Sequence, residues 1–301
     1  MALVSPRGLI AIATAAAGGW LAGRVNRSPH ESSDERGLTD ADLTPGAEPV
    51  ALQAGPRGVL ILHGFGDTPQ SVRALALTLH ERGWTVRAPL LHGHGCSLRA
   101  FMRARARDWL TDARNALREL SEHSTHVAII GQSMGGALAT ILAAKTRVDA
   151  LVLLVPYMRL SGRASRIAAF HRVVTPLVPF LRSRSEFSIL DPDARRRALG
   201  RGVTTPRLLH ELSLVVREAR RAAPRVRAPA LVIHSRNDPR VTTADADASF
   251  ARLGSSRKSL EWVNRSGHVI AVDFDRDWVA QRVHDWLDVH VGAGRASPGA
   301  K

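Results

Sequence analysis

With 301 residues, about 45% of them hydrophobic, and a single cysteine, the chain is long enough to bury a full α/β core and has no internal disulfide framework. Its formal net charge is +15, from 42 Lys and Arg against 27 Asp and Glu, and only Lys145, Lys258 and Lys301 are lysines. The charge gathers between Pro156 and Arg227, with 16 arginines against five acids, yet no nucleic-acid motif with interleaved aromatics appears, so nucleic acid is not an expected partner.

In chain order, residues 1–27 hold an apolar run, Gly8 to Gly23, between Arg7 and Arg24. It is shorter than the roughly 20 residues that span a bilayer and reads as an anchor or signal-like segment. The expected location is membrane-anchored or exported through this run, and otherwise cytoplasmic. Residues 28–49 are acidic and Pro-containing and read as a flexible linker, and residues 292–301 as a disordered tail.

Between them, residues 50–291 form the expected α/β domain. Gly58–Gly64, Trp84–Pro89, Val127–Gln132, Ala150–Pro156, Ala230–Ser235 and Ser259–Asn264 are short apolar or β-branched runs, the pattern of buried parallel strands. Helical spacing over Thr68–Arg82, Asp108–Leu120 and about Gly135–Lys145 separates them, so a mostly parallel sheet flanked by helices is predicted. Residues 157–228 break this rhythm. They are Arg-rich and helical, with an apolar patch at Val173, Leu177, Val178, Phe180 and Leu181, and read as a cap inserted between two strands.

Gly131-Gln132-Ser133-Met134-Gly135 is a G-x-S-x-G sequence placed directly between an apolar strand and a helix. A nucleophilic serine sits on such a turn, and Gly131 and Gly135 let the backbone close around it. The helix start then presents the Met134 N–H to a developing oxyanion. His63-Gly64-Phe65-Gly66 follows the first core strand, where the Phe65 N–H is a second candidate donor; Gly64 and Gly66 permit close approach, and His63 is read as a brace for the loop.

A serine nucleophile requires a base and an orienting acid, in the chain order Ser, acid, His. Asp238 follows strand Ala230–Ser235, and His268 follows strand Ser259–Asn264, both in loops at the carboxyl edge of the sheet. Asp245, Asp247 and Asp273 are weaker candidates for the acid. His92-Gly93-His94-Gly95 lacks partners at metal-site spacing and reads as a pocket-lining loop, with Cys96 as a packing residue; no metal and no cofactor is expected.

The stretches LILHGFGDTPQSVRALA, APLLHGHGCSLRAF, GQSMGGALA, ALVIHSRNDPRV and NRSGHVI resemble the bacterial monoacylglycerol lipase and carboxylesterase branch of the α/β hydrolases over residues 58 to 290. That resemblance implies a cap after the sixth strand, cofactor-free hydrolysis and apolar acyl esters as substrates, a monoglyceride or medium-chain ester. It also assigns nucleophile, acid and base to Ser133, Asp238 and His268, and the oxyanion donors to Phe65 and Met134. Alternatives with the same triad are acyl transfer and lysophospholipase action, and a non-catalytic ligand-binding relative is a third. Residues 8–23 and the basic cap are candidate membrane contacts, and nothing in the sequence sets the oligomeric state.

Overall fold

The computed structural model describes residues 43–182 and 188–291, within the unit that spans Arg36–Lys301. The apolar run, most of the acidic linker and the tail from residue 292 lie outside the described residues. Among those described, no helix is long and apolar enough to cross a membrane.

Seven strands form one sheet: β1 (Val50–Leu52), β2 (Arg57–Leu62), β3 (Thr85–Ala88), β4 (His126–Gln132), β5 (Ala150–Leu154), and β8 (Ala230–Ser235) and β9 (Lys258–Val263) beyond the insertion. Their spatial order is β1-β3-β2-β4-β5-β8-β9, with β1 antiparallel to β3 and every other pair parallel. The sheet is apolar on both sides because helices cover both. Along β2, Leu60 and Leu62 face one core while Val59 and Ile61 face the other; Ile129 and Ile130 of β4 divide in the same way.

Helices α1 (Arg73–Glu81) and α10 (Arg276–His290) cover one face. On the other lie α2 (Leu98–Arg103), α3 (Ala106–Glu122) and α4 (Met134–Lys145). Helix α4 is apolar all round and buried on every side, as a helix held between a sheet and a second helix must be.

The insertion runs from the end of β5 to the start of β8. The described sheet holds five strands before it, not the six that came with the family resemblance. It contains α5 (Gly162–Ala169), α6 (His171–Val174), α7 (Pro192–Arg197), α8 (Pro206–Ala222) and a two-residue antiparallel pair, β6 (Leu181–Arg182) with β7 (Val203–Thr204). Its last helix is a core element. Leu208, Leu212, Val215, Val216 and Ala219 make an apolar stripe on α8 that joins the cluster around α4, so the exposed cap proper ends near residue 205. The remaining helix, α9 (Thr243–Arg252), lies between β8 and β9.

Residues 43–49 are packed despite their polar composition. Thr44 N donates to Gly95 O at 2.6 Å and Ala47 is fully buried, so residues 43–49 pack onto the loop after β3 instead of forming free linker.

Ile130 is fully buried in the central strand, while Leu177 on the cap is 69% exposed. Ile130→Ala is expected to cost about 2–5 kcal/mol of unfolding free energy, with Leu177→Ala close to neutral, both read from urea unfolding midpoints.

Candidate active site

Ser133 joins β4 to α4 with φ 54° and ψ −116°, a conformation rarely adopted by a residue with a Cβ. The surroundings hold it there. Its N–H donates to Leu154 O at 3.0 Å, and its carbonyl accepts from Gly136 N at 2.9 Å and Tyr157 N at 3.0 Å. The motif glycines are spatial requirements. A Cβ on Gly131 would stand 2.2 Å from Gly135 O, and one on Gly135 would stand 2.1 Å from Leu62 O. Met134 opens α4, where the first N–H groups have no acceptor within the helix.

The His63–Gly66 loop lies against this turn: a Cβ on Gly64 would sit 3.3 Å from Ser133 Cβ. Gly66 has φ 71°, and its carbonyl accepts from Arg201 N at 2.6 Å. His63 is buried beneath the loop; its Nε2 accepts from Leu91 N at 3.1 Å, leaving Nδ1 to donate to Gly64 O at 2.9 Å. Burial pushes its pKa down to about 4, against the opposing bond to Gly64, so the ring is neutral and its tautomer fixed. Next to it, His94 packs edge-on to His63, and Phe65 makes ring contacts with His94, Phe101 and Trp109. His92 points outward while His94 is buried in this aromatic cluster, so the two histidines do not converge.

Asp238 and His268 reach Ser133 from the loops after β8 and β9. His268 Nε2 lies 2.7 Å from Ser133 Oγ, and His268 Nδ1 lies 2.7 Å from Asp238 Oδ2. The other carboxylate oxygen of Asp238 accepts from Arg240 N at 2.7 Å and Val241 N at 3.1 Å. Burial works against the charge on Asp238, but the neighbouring imidazole, its hydrogen bond and the Arg240 N–H outweigh it, holding the carboxyl below its usual range. The two loops are tied together: Ser235 Oγ donates to Ser266 O at 2.5 Å, and Asn237 Nδ2 to Asn264 O at 2.6 Å. The structure thus brings together Ser133, Asp238, His268 and the loops carrying Phe65 and Met134.

Several residues around the site have roles that the sequence does not indicate. Asp273 is fully buried and accepts four backbone N–H groups, from Leu190, Asp191, Gly267 and Phe274, at 2.7–2.9 Å. It therefore binds the cap's return segment at Leu190 and Asp191 to the loop that carries His268. Ser188 adds to this junction, since its carbonyl accepts from His268 N at 2.8 Å and Val269 N at 2.9 Å. Asp245 is also engaged elsewhere, its carboxylate accepting from the Thr242 hydroxyl at 3.0 Å in the first turn of α9 and pairing with Arg159 at 2.9 Å. Asp67, one residue past Gly66, faces the site from the other side. Burial raises it to about 6, although the Ser71 hydroxyl, the Thr68 N–H and the charges of His268 and Arg240 all pull it down.

Removing the Asp273 carboxylate strands four buried donors, so Asp273→Ala is expected to lose about 3 kcal/mol or more in urea unfolding, with Asp273→Asn intermediate because one acceptor oxygen remains. For Asp67 the folded pKa lies above the unfolded value of 3.8, so its contribution to stability is present at low pH and lost as pH rises through about 6. Asp67→Asn is therefore expected to melt near the wild-type temperature at pH 4 and above it from about pH 7, in a melting series across that range.

A family model described as serine aminopeptidase, S33, matches residues 55–275. A thermostable monoacylglycerol lipase of Bacillus sp. (strain H-257) is 30% identical over 247 residues, covering 82% of this chain and 96% of the relative. A carboxylesterase of Bacillus subtilis (strain 168) is 27% identical over 248 residues, covering 82% and 97%. Among solved structures, a metagenome-derived lipolytic enzyme superposes with a TM-score of 0.75 at 31% identity, covering 82% of this chain and 99% of its own. The chain belongs to the serine aminopeptidase S33 family of α/β hydrolases, as a serine hydrolase of its carboxylesterase and monoacylglycerol lipase branch.

Proposed function

We propose that this chain hydrolyses apolar carboxylic esters, monoglycerides or medium-chain esters, by two-step acyl transfer through Ser133, His268 and Asp238. The observation that carries the reading is the unbroken pair of 2.7 Å contacts from Ser133 Oγ through the His268 ring to Asp238, built on a strained turn. His268 Nε2 takes the Ser133 proton as Oγ adds to the ester carbonyl. The N–H groups of Phe65 and Met134 hold the oxyanion. His268 returns the proton to the departing alcohol, leaving an acyl-serine, and then takes a proton from water, which adds to the acyl carbon and releases the acid. Asp238 keeps Nδ1 protonated and stabilises the imidazolium between those steps.

The cap supports the choice of substrate. Phe170, Val173, Leu177 and Val178 are between 38% and 69% exposed on α6 and the residues flanking it, an apolar surface beside which a lipid ester can enter. Arg163 and Arg166 on α5 and Arg172 on α6 stand exposed nearby in the sequence, which favours a second reading within the same chemistry: an anionic lysophospholipid as substrate and an anionic bilayer as its source. The relatives named as a carboxylesterase and a monoacylglycerol lipase favour the neutral ester.

The full chain and its Ser133→Ala variant, assayed on p-nitrophenyl esters from acetate to palmitate, decide the matter. Activity is expected to peak at a medium chain length and to fall by about 10⁴-fold or more in the variant. Hydrolysis that survives in Ser133→Ala, or activity on aminoacyl amides alone, would displace this reading. Preference for a lysophospholipid over a monoglyceride would select the anionic substrate.

A further inference from the structure

At the edge of the sheet opposite Ser133, the amino ends of β4, β5, β8 and β9 and the carboxyl end of α4 surround a cavity of about 620 Å³. Its wall carries Lys145, Arg147, Arg225, Arg227 and Arg257 against one carboxylate, Asp149. That carboxylate is already engaged, accepting from Val127 N at 2.8 Å and lying 3.6 Å from His126 Nδ1.

The protein itself accounts for two of the five cations. Lys145 stands in the last turn of α4, where the carbonyl end of a helix favours positive charge, and pairs with Glu218 at 2.5 Å. Arg227 donates to Pro224 O at 2.8 Å and secures the turn before β8. The guanidinium groups of Arg147, Arg225 and Arg257 have no hydrogen bond or ion pair with any described residue, and all three are exposed at the cavity. Three unanswered guanidinium groups on one concave wall repel one another, and a bound polyanion relieves that repulsion.

We propose that this cavity is a binding site for a small, multiply charged phosphate compound, with pyrophosphate as the minimal ligand and a nucleotide as its larger form. The guanidinium fork matches two phosphate oxygens at once, which separates this chemistry from that of a single carboxylate or halide. The volume lies within the range of about 300–1,000 Å³ for small-ligand pockets. A nucleic-acid strand fits the site poorly, because no Phe, Tyr or Trp lines it to stack a base. A membrane engaged through the cap would lie at the other end of the molecule.

The test is titration calorimetry of the full chain with inorganic pyrophosphate, and separately with ATP in the absence of divalent metal, at constant ionic strength. Saturable one-to-one binding and a raised melting temperature are expected, together with a loss of about tenfold or more in affinity for the double variant Arg147→Glu, Arg257→Glu. Arg118→Glu on the outer face of α3 is the charge control and is expected to bind as wild type. ATP binding more tightly than pyrophosphate would assign a nucleotide, and equal binding the phosphates alone; both support the site. Heats that do not saturate, an equal response to sodium chloride at matched ionic strength, or a double variant that binds like wild type would overturn it. Circular dichroism melting of each variant reports its fold without reference to ester hydrolysis, so this result stands apart from the fate of the Ser133 reading.

Discussion

At the turn after β4 the backbone folds back on itself more tightly than any side chain permits. Gly131 and Gly135 meet at distances where a Cβ would penetrate a carbonyl oxygen, and that contact is what lets Ser133 take φ 54°. The rest of the fold is arranged around it. Helix α4 has to leave the sheet at once, and its Gly-Gly-Ala-Leu-Ala start is small enough to lie on β2 and β5 without a gap. The neighbouring strand end is bent to receive it: Val155, a β-branched residue, has φ 43°, and Pro156 packs against Gly136. Such a backbone persists only where the surroundings over-determine it, and α8 laid across α4 supplies that constraint.

Around the strained turn the charges are placed by backbone donors more than by side-chain ion pairs. Asp238 keeps its charge in a buried position because two N–H groups fix one oxygen and the imidazole fixes the other. Asp273 is answered entirely by N–H groups, and His63 is held neutral by burial with its tautomer set by Leu91 N. Groups held by main chain do not depend on long side chains finding one geometry, so little conformational entropy is lost in keeping them in place. Asp67 is the exception, since the hydroxyl, amide and charges around it fall short of offsetting its burial.

Much of this was legible in the sequence, for identifiable reasons. Strands β2, β4, β5 and β8 are short apolar runs covered on both faces, and the helices between them carry helical periodicity. Ser133 sits in a motif whose glycines are dictated by sterics, and chain order singled out the loops bearing Asp238 and His268. What escaped was non-local. Strand β1 is three residues long and exists only through its antiparallel pairing with β3. Residues 43–49 look like linker by composition, and the buried Ala47 becomes visible only once the loop after β3 is placed beside it. Asp273 and Ser188 bond to main chain far away along the sequence, and no periodicity or motif records a main-chain partner. The same holds for α8: residues 157–228 read as helical without revealing that the apolar stripe of their last helix packs against α4.

Caps in folds of this kind are naturally pictured as detachable modules on a fixed catalytic body. The junction at Ser188–Asp191 sets a boundary on that picture. The carbonyl of Ser188 receives the N–H of the base itself, and Asp273 grips both sides of the seam. A graft or deletion that cuts the insertion at its sequence limits would remove part of the mounting of His268 along with the cap. The unit of exchange is a smaller piece that begins after Tyr157, which holds the Ser133 carbonyl, and stops short of Ser188, and specificity can be re-engineered there with nucleophile and base still seated.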